Sequence, residues 1–219
     1  MKTLIISDLH IGSKYCREEE LINFLKSIEY DRLILAGDII DFIKIPSFTK
    51  RAVTLFSSID YGKEIVYIIG NHDISFKGFV GEKLFGISFV DKYEFRSGLR
   101  KIRIEHGDAY EKGLTHTNFL IKIISLCHDW LERKFSIDLA TWYISWKLKR
   151  RKLRRIWDIL KWNDDVDVVI MGHAHCPEAI IWVDQNEKIK TYVNTGDWVS
   201  HTSYVLIEDG VVRLKKYDA

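Results

Sequence analysis

Short apolar runs, each closed by a polar cluster, set the grain of this chain of 219 residues. Thr3 to Ser7, Leu33 to Ala36, Ile65 to Ile69 and Val166 to Met171 read as buried strands. Glu18 to Ile28 carries a helical pattern between the first two. Four further strands are predicted late: Ala179 to Val183, Lys188 to Val193, Ser203 to Ile207 and Val211 to Lys215. Alternation of strand and helix early, with strands gathered late, predicts an α/β protein of two packed sheets flanked by helices. With 47% hydrophobic residues the chain can bury a full core as one domain spanning 1–219. No internal repeat, low-complexity tract or Pro/Gly/Ser-rich linker interrupts it.

The polar clusters that close these runs carry the chemistry. Asp8-Leu9-His10, Gly37-Asp38-Ile39-Ile40-Asp41, Gly70-Asn71-His72-Asp73 and Gly172-His173-Ala174-His175 each follow a strand signal, and His106-Gly107-Asp108 stands between the last two. Together they hold five of the eight histidines. Strand ends are where open α/β sheets place ligands. In an extended segment alternate side chains share a face, so Asp8 with His10, and His173 with His175, can each serve one centre. Imidazoles mixed with carboxylates and a carboxamide suit borderline divalent ions: manganese first, with iron, cobalt, nickel and zinc as alternatives. Two such ions roughly 3.5 to 4 Å apart can clamp an attacking oxygen and a phosphoryl group, which points to hydrolysis of a phosphate ester or anhydride. Cys176, beside the last motif, is expected to be a packing residue rather than a soft ligand.

These five ordered motifs resemble those of the calcineurin-like metallophosphoesterases. The resemblance implies a four-layer αββα sandwich with an inserted helical cap. It also implies that Asp8, His10 and His175 hold one metal, that Asn71, His106 and His173 hold the other, and that Asp38 bridges both. His72 matches the histidine that stabilises the transition state or protonates the leaving oxygen, so His72 and Asp38 are the expected catalytic residues. Asp41 and Asp73 are expected to orient the ligands and His72.

A segment of different character, about 111–162, lies between the His106 and Gly172 motifs. It contains five of the seven tryptophans and twelve Lys/Arg against five Asp/Glu, so a near-neutral chain divides into a basic module on an acidic body. Leu153, Ile156, Trp157 and Leu160 define one apolar helical face ringed by cations. Arg150, Arg151, Arg154 and Arg155, with Trp146 and Trp157, are the expected contacts to substrate or to an anionic membrane surface. A helix that packs its apolar face on the domain and leaves its charges in water has the same pattern.

Within the family, this layout is similar to the UDP-2,3-diacylglucosamine diphosphatase group. The likeness rests on chain length, on the insertion and on the late segment Asn194-Thr195-Gly196-Asp197-Trp198. His72 and Cys176 stand where the best-known members of that group carry arginine. The resemblance implies a phosphate-containing amphiphilic or lipid-linked substrate. A soluble phosphodiesterase or nuclease, and a peripheral scaffold that binds a partner through the insertion, are the alternatives, with nucleic acid the weaker partner. Three scattered cysteines suit a reducing cytosol, and no signal core or run of eighteen apolar residues is present. A cytoplasmic protein, peripheral at the inner face of the membrane, is therefore expected.

Overall fold

Alternate residues of the first strand serve two different cores. In a computed structural model that describes residues 1–13, 16–41, 50–110, 159, 161 and 163–218, Leu4 and Ile6 of β1 (Thr3–Ile6) join one buried cluster and Ile5 joins another. The same division runs through β2 (Arg32–Ala36) and β3 (Glu64–Ile68): Leu33, Leu35, Ile65 and Tyr67 face one way, Ile34, Val66 and Ile68 the other. Strands buried on both faces must be apolar at every position, which is why these runs do not alternate with polar residues.

The first cluster lies between this sheet and the helices. Helix α1 (Glu18–Ser27) buries Leu21, Phe24 and Leu25 on one face, and its acidic first turn and Lys26 near its end suit the helix dipole. Phe56 of α2 (Lys50–Ser57) packs on the same cluster. The second cluster fills the space between the two sheets, where Ile102, Ile104, Val168, Ile170 and Val193 meet Ile5, Ile34 and Val205. Each such side chain removed from water contributes roughly 1.5–3 kcal/mol.

The remaining strands are β4 (Lys83–Leu84), β5 (Ile87–Val90), β6 (Lys92–Ser97), β7 (Arg100–Glu105), β8 (Val168–Met171), β9 (Glu178–Val183), β10 (Ile189–Asn194), β11 (Ser203–Glu208) and β12 (Val211–Lys216). One sheet has the order β12-β11-β1-β2-β3-β5-β4 and the other β6-β7-β8-β10-β9. Strands β1, β2, β3 and β5 are parallel, as are β7, β8 and β10, so their carboxyl ends form a common edge within each sheet.

The chain divides into two compact units, Met1–Asp108 with Asp165–Ala219, and Ala109–Asp164. In the second, the Asn163 amide donates to the Tyr110 hydroxyl (2.9 Å) and to the Ile159 carbonyl (3.0 Å). The expected helical cap at 111–162 falls, apart from residues 159 and 161, outside the described residues. Among the described residues no helix is long and apolar enough to cross a membrane.

Candidate metal centre

Five of the parallel strands deliver a motif to the carboxyl edge, its polar side chains one to four residues after the strand ends. Asp8 follows β1, Asp38 follows β2, Asn71 and His72 follow β3, His106 follows β7, and His173 and His175 follow β8. The extended geometry expected for Asp8-Leu9-His10 and His173-Ala174-His175 is not what aligns the pairs. Asp8, His10, Asp38, His173 and His175 all have left-handed backbone, with φ between 47° and 60°. That region is costly for residues with a Cβ, on the order of 1–3 kcal/mol each, and its concentration here marks a site held together by the surrounding fold.

The packing beneath the loops explains how they are held. Gly172 lies against the Asp8 carboxylate and the Ser7 side chain so closely that a Cβ would overlap both. Gly37, at φ +89°, lies against the His106 ring in the same way. The Asp8 carboxylate accepts hydrogen bonds from the Ser7 hydroxyl and from the His173 backbone N–H (3.0 and 3.1 Å to its two oxygens). Ser7 Oγ also meets Thr195 Oγ1 at 2.5 Å, and Asn194 donates its side-chain amide to the Gly172 carbonyl at 2.6 Å. Ser7, Asn194 and Thr195 thus brace the Asp8 and Gly172 loops. Ser7 reads in the sequence only as the end of a strand, whereas Asn194 and Thr195 belong to the late segment that the diphosphatase group shares.

Three groups of ligand atoms converge, each within 4.8 Å: Asp8 with His10 and His175, His10 with Asp38 and His72, and Asp38 with His106 and His173. His175 Nε2 is 3.1 Å from Asp8 Oδ1 and 3.2 Å from His10 Nε2. His106 Nε2 is 3.2 Å from both Asp38 Oδ2 and Asn71 Oδ1. Its other nitrogen, Nδ1, donates to the Ala36 carbonyl at 3.1 Å, which aims Nε2 into the cluster. Asp38 touches both halves. Asp41 Oδ1 lies 3.1 Å from His72 Nδ1, and Asp41 Oδ2 is 4.0 Å from His10 Nδ1. Asp73 accepts backbone N–H groups of Ile39 (3.2 Å), Ile40 (3.1 Å) and Gly70 (3.4 Å), fixing the loop that carries Asp38, and its charge also acts on His72. Cys176 is not in any of the converging groups. Arg150, Arg151, Arg154, Arg155, Trp146 and Trp157 lie outside the described residues.

The electrostatics follow from burying so many ionisable groups together. Burial opposes charge on Asp38, but the His106 hydrogen bond, the two imidazoles and the His72 N–H hold its carboxyl well below the usual carboxylate range. For His106 burial is likewise outweighed, by Asp38 first, and its pKa rises to about 10. Burial and the Asp38 charge push Asp73 up to about 7, despite its backbone donors. In His72 burial is overcome by Asp41 and the neighbouring carboxylates, which raise its pKa. Burial keeps His10 low, in the neutral form that ligation requires. Carboxylates that force protons onto adjacent imidazoles form a donor set that divalent cations would neutralise in the protons' place. The residues fit metal ions.

A fan of Asp, His and Asn at the carboxyl edge of paired sheets defines a metal-dependent phosphoesterase. The chain belongs to the calcineurin-like phosphoesterase family, whose sequence pattern matches residues 1–177. It is 25% identical over 237 aligned positions to a UDP-2,3-diacylglucosamine hydrolase of Vibrio cholerae serotype O1, covering 94% of each chain. Among solved structures it is similar to Vps29 of Chaetomium thermophilum, with a TM-score of 0.53 and 13% identity, covering 99% of this chain and 97% of the other. At that identity the likeness is one of fold.

Proposed function

We propose that this protein is a dinuclear metal hydrolase that cleaves a phosphoanhydride or phosphodiester in an amphiphilic nucleotide-sugar or lipid-linked substrate. The observation that carries the dinuclear reading is the place of Asp38, one carboxylate shared by the His10 group and the His106–His173 group. Asp8, His10 and His175 would hold one ion, Asn71, His106 and His173 the second, with Asp38 common to both and manganese the first choice of metal. When bound, such ions supply Lewis acidity, lowering the pKa of water and neutralising phosphoryl charge.

The chain's own residues do the rest. Asp41 accepts the His72 Nδ1–H, which turns Nε2 toward the cluster, 3.9 Å from Asp38 Oδ2. Against burial, Asp41 and the neighbouring carboxylates raise the proton affinity of His72, which suits its Nε2 to the role of giving a proton to a departing oxygen. Backbone donors on Asp8 and Asp38 hold both carboxylates still, so little reorganisation is needed as charge moves. The amphiphilic substrate is supported by similarity to the V. cholerae hydrolase along nearly the whole chain and by the basic, tryptophan-rich composition of 111–162.

The test is turnover of UDP-2,3-diacylglucosamine in mixed micelles beside bis(p-nitrophenyl) phosphate, with manganese added and with chelator. Metal-dependent cleavage of both substrates supports the proposal. Cleavage of the soluble diester alone leaves a soluble phosphodiesterase, and cleavage of neither overturns the reading.

A further inference from the structure

The two oxygens of the Asp8 carboxylate have different neighbours. Oδ2 accepts the Ser7 hydroxyl and one branch of the His173 backbone N–H at 3.0 Å, and it packs so closely on Gly172 that a Cβ there would overlap it. Oδ1 accepts the other branch of that N–H at 3.1 Å and lies 3.1 Å from His175 Nε2. Oδ2 is thus engaged within the protein, and Oδ1 is the oxygen presented to the ligand imidazoles.

Counting donors fixes how the hydroxyl protons are shared. Ser7 Oγ stands 2.5 Å from Thr195 Oγ1 and 3.3 Å from the Gly196 carbonyl, and Thr195 Oγ1 stands 3.1 Å from the Met171 carbonyl. Two hydroxyl protons therefore serve these contacts and Asp8 together. The Met171 carbonyl already accepts the Thr195 backbone N–H at 2.8 Å, and a hydrogen bond to an ionised carboxylate is roughly twice as strong as one to a neutral acceptor. The favoured order runs from the Thr195 hydroxyl to Ser7 Oγ, and from the Ser7 hydroxyl to Asp8 Oδ2. All three residues are buried, where such a chain is strengthened and a broken one is costly. Thr195 is itself fixed: its carbonyl accepts the Ser203 hydroxyl at 2.6 Å, and the adjacent Asn194 side chain binds the Gly172 carbonyl at 2.6 Å and the Gly196 N–H at 2.9 Å.

We propose that Ser7 and Thr195 are positioning residues of the metal centre, whose hydroxyl relay occupies Asp8 Oδ2 and so makes Asp8 a one-oxygen ligand, through Oδ1. This role rests on the metal hydrolase proposed above and deepens it, giving the Asn194-Thr195-Gly196 segment, outside the converging ligand groups, a part in metal affinity. Released from the relay, the Asp8 carboxylate would be free to turn or to offer both oxygens. The effect should fall on the ion assigned to Asp8, His10 and His175. The other donor group is braced elsewhere, with His106 Nδ1 on the Ala36 carbonyl.

Calorimetric titration of the metal-free protein with manganese, and the visible spectrum of the cobalt-loaded protein, test the relay. The parent should take up two ions. Ser7→Ala and Thr195→Val, which each delete one hydroxyl, should weaken one ion by about 10–100-fold, leave the other unchanged and alter the cobalt bands. Thr195→Ser, which keeps the hydroxyl, should bind both ions as the parent does. Parent-like affinities and spectra in both hydroxyl deletions would overturn the relay. Equal losses in Thr195→Ser and Thr195→Val, or loss of both ions with a lowered Tm of the metal-free protein, would overturn it in favour of packing alone. A parent that binds two ions in a hydroxyl-dependent way yet cleaves no phosphodiester would overturn the hydrolase and leave the positioning role standing. A parent that binds no ion would overturn both.

Discussion

Asp38 has the most demanding position of any residue in the chain. Its backbone is left-handed at φ 53°, its Oδ1 accepts the His72 N–H at 2.8 Å, and its Oδ2 lies 3.2 Å from His106. Removing a carboxylate shared by two donor groups should release at least one ion and abolish turnover. Asp38→Ala is therefore expected to lower metal content by elemental analysis and reduce the rate to background, whereas unchanged metal and near-normal turnover would exclude a bridging role. His72 should behave differently, since Asp41 holds its ring and its Nε2 stands 3.9 Å from Asp38 Oδ2, farther than the ligand contacts of His106 and His175. His72→Ala is expected to retain metal while lowering kcat by about 10²–10⁴, the range of a positioned acid. That loss should shrink with a nitrophenolate leaving group, which needs no proton. Equal losses for good and poor leaving groups would assign His72 to phosphoryl charge stabilisation.

At the scale of elements, loops and strands must fit one another within tenths of an ångström. Gly172→Ala inserts a methyl group into the space of the Asp8 carboxylate, and relief requires moving the β1 loop or the β8 loop. We expect about 1–3 kcal/mol of destabilisation in urea melts together with weakened metal binding; full retention of both would mean that the loops part easily. Away from the centre, Arg32 of β2 is buried, with Nε 2.7 Å from Glu64 Oε2, and Tyr93 of β6 donates its hydroxyl to Glu64 Oε1 at 2.7 Å. This staple ties one sheet to the other, with the guanidinium 4.9 Å from the Phe95 ring centre. Burial opposes the Glu64 charge, but the two hydrogen bonds prevail and depress its pKa. A depressed carboxyl contributes stability above its unfolded pKa, about 4.3, and loses that contribution as pH falls through the folded value. Glu64→Gln should accordingly flatten the decline of unfolding free energy below about pH 4.5. An unchanged slope would show that the staple carries no linked proton.

Legibility differed between these elements for physical reasons. β1, β2, β3 and β8 are buried on both faces and stand out as apolar runs. β7 escapes that reading because Arg100-Lys101-Ile102-Arg103-Ile104-Glu105 buries Ile102 and Ile104 between the sheets while its charged residues alternate with them. Arg103 pairs with Glu94 and Asp165 on the other face, so charge density hides a central strand. The histidines and carboxylates of the centre were legible because five motifs closed five loops. The left-handed backbone at Asp8, His10, His173 and His175 was not legible, because the loops are held by contacts of Ser7-Asp8 with Gly172-His173 and Thr195, segments far apart in sequence.

Over the whole molecule, the metal centre is also a folding constraint. The Asp8, Asp38, Asp41 and Asp73 carboxylates are buried together, and their mutual repulsion is compensated by imidazole protons and by the proton that Asp73 keeps up to about pH 7. Cations that bind the folded arrangement and not the unfolded chain stabilise it by mass action, about 2.7 kcal/mol when free metal is a hundredfold above Kd. For a protein of this size, each kcal/mol moves Tm by about 2–4 °C, so chelation should lower Tm by about 5–10 °C, and manganese should restore it. The same titration on Asp38→Ala should give a smaller shift, because one shared ligand is gone. A Tm indifferent to chelator and to added manganese, zinc and cobalt would show that the acidic cluster is held by its imidazoles alone. The centre would then be a buried polar network rather than a site for metal.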